Sequence, residues 1–197
     1  MQFVRSFASA MTILPWGAKL DPGTVVMPES ADLVDARSAL AKIMEELNLL
    51  SNMFDLKDDI NLSISKEGLV MRLSDHALFD SGIATLSPQG LPLLEKIGNI
   101  IARTSYFIRI EGHTDNLPIH TELFPSNWDL STARAVNVLR YFLQSHHIDA
   151  QRLAAVGFGE FQPLAPNDMP ANRAKNRRVE IIFITNDPQQ KKIEEIS

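Results

Sequence analysis

The 197-residue chain contains no cysteine, which excludes a disulfide framework, a thiolate metal site and a cysteine nucleophile. It also lacks any run of about 18 apolar residues, the length a helix needs to cross a bilayer. A basic excess is missing too, since 19 Lys and Arg against 24 Asp and Glu give a formal net charge of −5. With no surplus cations to displace counterions from a phosphate backbone, the composition argues against a nucleic-acid partner. What remains is the composition of a folded globular protein, 45% hydrophobic and 22% charged, with length for one domain and an appendage.

Four zones are legible. In residues 1–20, Phe3, Phe7, Met11 and Leu14 recur at helical spacing and predict a short amphipathic helix. Arg5 ahead of an apolar run suggests a signal peptide, but Ser9 and Thr12 interrupt that run. Pro15 and Trp16 also stand where small residues would be needed. Residues 21–55 begin as a linker through Pro22, Gly23 and Pro28. They continue with Leu33, Ala36, Leu40, Ile43, Leu47, Leu50 and Phe54 alternating spacings of three and four, a heptad seam. Such a seam packs a helix on its own domain or on a second copy, and so short a run does not decide.

The main domain is expected over residues 56–186, followed by a charged tail over 187–197. Ile60, Leu62 and Ile64 alternate with polar residues, and after Lys66-Glu67-Gly68 so do Leu69, Met71 and Leu73, which predicts a β-hairpin. Ser87 and Pro88 suggest a helix start, with Leu91, Leu94, Gly98 and Ile101 on one face, although Pro92 conflicts with that boundary. Strands are predicted over 106–111, 153–158 and 179–184, and a long helix over 127–146 with Trp128, Ala135, Leu139 and Phe142 as its core stripe. A short helix is expected near 171–175. Strands separated by helices indicate an α/β sandwich, a small mixed sheet covered by helices.

Polar clusters fall at element ends, where a scaffold presents working groups. One is Gly112-His113-Thr114-Asp115-Asn116, the second spans Ser126 to Arg134, and the third precedes the final strand from Asn172 to Arg178. Asn127 and Arg134 lie seven residues apart, on one helix face two turns apart and away from the core stripe. The plain alternatives are a solvated Arg134, an Asp115 that only bonds its own turn, and Arg177 and Arg178 paired with carboxylates such as Glu160. His113 and Asp115 have no third ligand at metal spacing, Ser131 lacks a base, and a hydrolase is the weakest reading.

Taken in order, Gly112-His113-Thr114-Asp115, Asn127, Leu130-Ser131, Arg134-Ala135, Gly157-Phe158-Gly159 and Asn176-Arg177-Arg178-Val179-Glu180 resemble the OmpA C-terminal-like peptidoglycan-binding family. With Leu78-Phe79-Asp80-Ser81-Gly82 ahead of them, the resemblance covers about residues 56–186. His113 to Ile119, Ser126 to Ser131 and the loop 116–125 are similar to the flagellar motor stator B (MotB) branch of that family. The resemblance implies an OmpA-like fold and a periplasmic wall anchor that is neither an enzyme nor a cofactor protein. A Pal-type tether between outer membrane and wall is the alternative. The implied partners are peptidoglycan, a second copy in a homodimer, the stator A subunit and the flagellar basal-body ring.

Stator B subunits carry an N-terminal membrane helix with an ion-handling aspartate that these residues lack. The expectation is therefore a piece of a longer inner-membrane protein, or else an unusual soluble member. Residues 1–20 would then resemble the stator plug, or else form a plain tail. The resemblance implies that Asp115 and Arg134 bind the diaminopimelate of a stem peptide. The chemistry fits that reading, because this zwitterion needs a carboxylate for its ammonium and a forked guanidinium for its carboxylate. Asn127, Leu130 and Thr114 would line the same pocket, with Arg178 adding charge and Asp80 at the border.

Overall fold

A computed structural model of the chain describes residues 31–54, 56 and 58–185. The amphipathic segment 1–20, the linker from residue 21 to residue 30 and the tail 187–197 lie outside the described residues. The elements are α1 (Ala31–Met53), β1 (Ile60–Ile64), β2 (Gly68–Ser74), α2 (Leu91–Ala102), β3 (Phe107–His113), α3 (Asn127–His146), β4 (Leu153–Gly157), α4 (Pro170–Asn176) and β5 (Arg178–Ile184). No helix among the described residues is long and apolar enough to cross a membrane.

The strands form one mixed sheet in the order β1-β2-β5-β3-β4, with β3 and β4 parallel and the other pairs antiparallel. The parallel pair needs a crossover, and α3 supplies it. Alternation sends Leu69, Met71, Leu73, Ile108, Ile110, Val179, Ile181 and Phe183 to one face, where helical side chains bury them in a single core. The opposite face carries Arg72, Arg178, Glu180, Arg109 and Glu111; Arg72 pairs with Glu180 across β2 and β5, while Arg178 with Glu180 and Arg109 with Glu111 pair along their own strands. This is the α/β sandwich of the sequence, a small sheet covered by helices on its apolar face.

Three sequence expectations need correction. α2 starts at Leu91 and not at Ser87: the Ser87 hydroxyl accepts a hydrogen bond from the Gly90 amide at 3.2 Å, and Pro92 sits in the first turn, where its missing N–H costs nothing. Trp128 is no core residue; it is 48% exposed, and the buried stripe of α3 is Leu130, Ala135, Val138 and Phe142. The reason is positional. Ser131 and Thr132 already sit against the last residues of β3 and β4, so the first turn of α3 lies beyond the sheet. Finally, β3 runs on through Gly112 and His113, which belong to the strand and not to the loop after it.

From Leu40 to Leu50 the heptad seam of α1 packs within the chain. Leu40, Ile43, Leu47 and Leu50 are buried in the same core as α2 and the sheet, and Glu46 pairs with Arg103 at the end of α2 at 2.7 Å.

Candidate functional site

Topology gathers the polar clusters at one end of the sheet. β2 and β3 both lie antiparallel to β5, and Ser74 and His113 both pair with Arg178. Asp75 just after β2, Asp115 just after β3 and Arg177 just before β5 therefore emerge side by side. The first turns of α3 cover the same end because Gly112 and Gly157 let it approach. A Cβ on Gly112 would stand 2.0 Å from the Ser131 carbonyl oxygen, and one on Gly157 would stand 2.2 Å from the Thr132 hydroxyl. Helical spacing then puts Asn127, Leu130 and Arg134 on the face that looks over the strand ends.

The result is a cleft of about 300 Å³. Thr114, Asp115, Asn127, Leu130, Arg134 and Arg177 line it, together with Asp75 and Phe79. Arg134 and Asp115 are only 2% and 4% exposed. The Arg134 guanidinium donates to Asp75 Oδ2 at 3.2 Å, to the Ile83 carbonyl at 2.9 Å and to the Asp80 carbonyl at 3.3 Å. It also lies 5.0 Å from the centre of the Phe79 ring. A guanidinium has five N–H donors, and with three engaged, two remain for a ligand.

Asp115 keeps one oxygen for its own turn, accepting from the Leu117 amide at 3.0 Å, and pairs the other with Arg177 at 2.7 Å. Arg177 also reaches Asp75 at 3.4 Å, so the charges alternate along Arg134, Asp75, Arg177 and Asp115. Burial lowers the Arg134 pKa, with Asp75 opposing that shift. Burial also draws Arg177 down, but its hydrogen bond to Asp115 and the charges of Asp75 and Asp115 leave it above its ordinary value. All these guanidinium groups stay charged at any physiological pH.

Asn127 ties the site together. Its amide nitrogen donates to the carbonyls of Asp115 and Leu117 at 3.2 and 3.1 Å and to Glu160 at 2.7 Å. The Thr114 hydroxyl is buried at the cleft wall and finds no hydrogen-bond partner. His113 is stacked on Phe158 at 5.3 Å between ring centres and does not line the cleft.

Two sequence-predicted site residues stand apart. Arg178 begins β5, so its side chain turns onto the polar sheet face, where it pairs with Glu180 at 2.6 Å. It lines a separate hollow beside Asn61 and Arg72. Asp80 contributes its carbonyl to Arg134 while its side chain is exposed. The carboxylates that pair with Arg177 are Asp75 and Asp115, not Glu160. Asp75 was missed altogether; the one signal for it was its place directly after a predicted strand, the same place Asp115 holds.

Among the described residues no group of three or more His, Asp or Glu side chains is placed to hold a metal ion. The cleft offers two acids and two guanidiniums, a set suited to binding a small ligand of both charges.

Known proteins share the fold of this domain. Motility protein B of Bacillus subtilis is 34% identical over 157 residues, 79% of this chain and 58% of that protein. The chain thus spans little more than half of that relative's length. A crystal structure of a MotB-like protein from Desulfovibrio vulgaris superposes with a TM-score of 0.68 at 32% identity, covering 76% of this chain and 96% of the other. The cell wall anchor of the T6SS from Pseudomonas aeruginosa superposes with a TM-score of 0.64, also at 32% identity, over 70% of this chain and 96% of that one. The OmpA family model matches residues 78–177, which hold every cleft residue named above except Asp75, and the chain belongs to the OmpA family.

Proposed function

We propose that this domain binds peptidoglycan without catalysis and anchors a flagellar motor stator to the cell wall, its cleft gripping the diaminopimelate of a stem peptide. The observation that carries the reading is the balanced charge row, in which Asp115 and Arg134 line one cleft and each is held by a partner of opposite sign. Two acids and two guanidiniums sum to zero. A ligand with a single charge would leave a buried charge uncompensated, which costs several kcal/mol. The zwitterionic end of diaminopimelate adds no net charge, so it can exchange partners inside the row: its ammonium takes Asp115, and its carboxylate takes the two spare N–H groups of Arg134. Asp75 and Arg177 are left paired with each other.

The similarity to Motility protein B supports the motor as the anchored machine, and the likeness to a secretion-system wall anchor supports the wall as the anchoring surface. In this reading the domain works in the periplasm, in a longer protein held in the inner membrane. It pairs with a second copy and meets a stator A subunit and the basal-body ring. The test is co-sedimentation with purified sacculi. Wild-type chain pellets with them, while Asp115→Ala and Arg134→Ala, each shown to be folded by circular dichroism, stay in the supernatant. Equal pelleting of both folded variants would overturn the site assignment.

A further inference from the structure

The polar face of the sheet holds a second hollow, of about 480 Å³, which the cleft does not explain. Arg72, Arg178 and Lys175 line it beside Leu73, Leu164 and Ala174. Charge is unevenly shared on this face. Arg109 takes two carboxylates, Glu67 and Glu111. Arg72 and Arg178 take one between them, and on the same oxygen: Glu180 Oε1 lies 3.1 Å from Arg72 Nε and 2.6 Å from Arg178 Nε. Arg178 is only 5% exposed, so the surplus positive charge of this trio is held largely out of water. Burial draws the Arg178 pKa down; Glu180 opposes this, Arg72 adds to the lowering, and Glu111 offsets part of it.

Among the described residues the two guanidiniums have donors to spare. Arg72 spends Nε on Glu180 and Nη1 on Ser63 and Asn61, at 2.8 and 3.4 Å, which leaves both N–H groups of Nη2. Arg178 gives one N–H of Nη1 to the Asn176 carbonyl at 3.1 Å and one of Nη2 to the Gln162 carbonyl at 3.2 Å, which leaves one on each nitrogen. The wall beside them is firmly built. Asn176 is fully buried; its side chain accepts from the Leu164 and Ala165 amides at 2.8 and 3.0 Å and donates to the Ala165 carbonyl and to Asn167 at 2.8 Å. That fixes Leu164, an exposed apolar side chain, against the hollow. Toward solvent the signs are mixed. Lys175 and Asp58 are exposed there, and Asp59 is held by the Ser74 hydroxyl and His76, each at 2.7 Å.

We propose that this hollow is a carboxylate site that takes the end of a peptide, one planar carboxylate beside a small apolar group. Charge selects the ligand. Two guanidiniums on one acid leave a surplus of one, which a carboxylate cancels and a doubly charged phosphate would overshoot in a half-dry place. The spare N–H groups of adjacent guanidiniums suit the two oxygens of a carboxylate, and Leu164 and Ala174 receive the apolar group next to it. Arg177 and His76 line both this hollow and the cleft. The carboxylate can therefore belong to the free end of a wall peptide or to the end of a separate peptide, with the same chemistry in either case. The site stands without the diaminopimelate reading of the cleft.

The test follows the arginine Nε–H signals of the whole chain by nitrogen-15 NMR. The probes are acetyl-D-alanyl-D-alanine, acetyl-L-alanyl-L-alanine, the C-terminal amide of each, and inorganic phosphate. Both free acids should shift the Arg72 and Arg178 signals saturably, with a dissociation constant on the order of 1 mM, the strength of a few charge-assisted hydrogen bonds partly open to water. The amides should leave these signals in place. Arg72→Ala, shown to be folded by circular dichroism, should bind the acids roughly tenfold more weakly, and Arg72→Lys should recover only part of the loss because it restores charge without the fork. Tighter binding of the D,D acid assigns the site to the wall peptide, and equal binding of the two acids assigns it to peptide ends in general. Shifts confined to Arg134 would put the probe in the cleft and overturn the proposal. So would an equal response to the amides, tighter binding of phosphate, no saturable shift at Arg72 and Arg178, or wild-type affinity in folded Arg72→Ala.

Discussion

Arg134 and Asp115 occupy one cleft, yet their removal should have unequal effects on the fold. Arg134 supplies donors to Asp75 and to the carbonyls of Ile83 and Asp80, all at a nearly dry position. Arg134→Ala orphans these acceptors and should cost about 3 kcal/mol of stability. Asp115→Ala leaves Arg177, 36% exposed, still in reach of Asp75, so the loss should be about 1 kcal/mol. Urea unfolding of the two variants checks the order, and equal midpoints would show that the charge row does not act as drawn. On the opposite sheet face, burial pushes the Glu111 carboxyl up, but contacts with His113 and Arg109 more than reverse this, so its pKa lies below the ordinary 4.5. A carboxylate depressed in the folded state stabilises fully above its unfolded pKa and loses that contribution as pH falls through the folded one. Glu111→Gln should accordingly be less stable than wild type at pH 7, and the gap should narrow as pH falls below the ordinary 4.5 and through the lowered folded-state pKa. Urea midpoints measured from pH 7 to pH 3 read this directly.

At the scale of elements, most of the fold was legible because it follows from period. Alternation set β1 and β2, and 3.6-residue spacing set α3 and α1, to within a residue or two of the observed ends. What period could not tell was where an element stands relative to the sheet. Trp128 falls on the apolar stripe of α3 by count, but the first turn overhangs the strand ends, so the same count leads to solvent. The site was legible only in part for a related reason. Asp115, Asn127, Leu130 and Arg134 stand in recognisable runs, whereas Asp75 reaches the cleft through the sheet order β2-β5-β3, which no local pattern encodes. Arg177 and Arg178 are chemically alike neighbours, and only the alternation of β5 sends the second to the polar sheet face. For α1 the heptad pattern left two packings open, and the buried Leu40, Ile43, Leu47 and Leu50 favour the chain's own core. Leu47→Ala should then destabilise the domain by about 2–5 kcal/mol, by the same amount at every protein concentration. A midpoint that shifts with concentration in wild type and not in the variant would instead make Leu47 a contact between copies.

For the whole molecule, the proposed wall anchoring must work against the overall charge balance. The chain carries a net −5, and peptidoglycan presents its own carboxylates, so the two repel at long range. On the proposed reading attraction is confined to the cleft, where Asp75, Asp115 and Arg134 are buried and only weakly screened, whereas the general repulsion is screened over a Debye length of about 10 Å at 0.1 M salt. Raising NaCl from about 0.05 to about 0.5 M should therefore hold or modestly strengthen binding to sacculi, by no more than roughly twofold. A module that held the wall through surface lysines would behave in the opposite way, losing affinity steeply with the logarithm of salt, as polycations do on anionic polymers. Co-sedimentation across that salt range separates the two cases. A steep loss would mean that surface cations carry the anchoring, leaving the Asp75, Asp115, Arg134 and Arg177 row a structural brace.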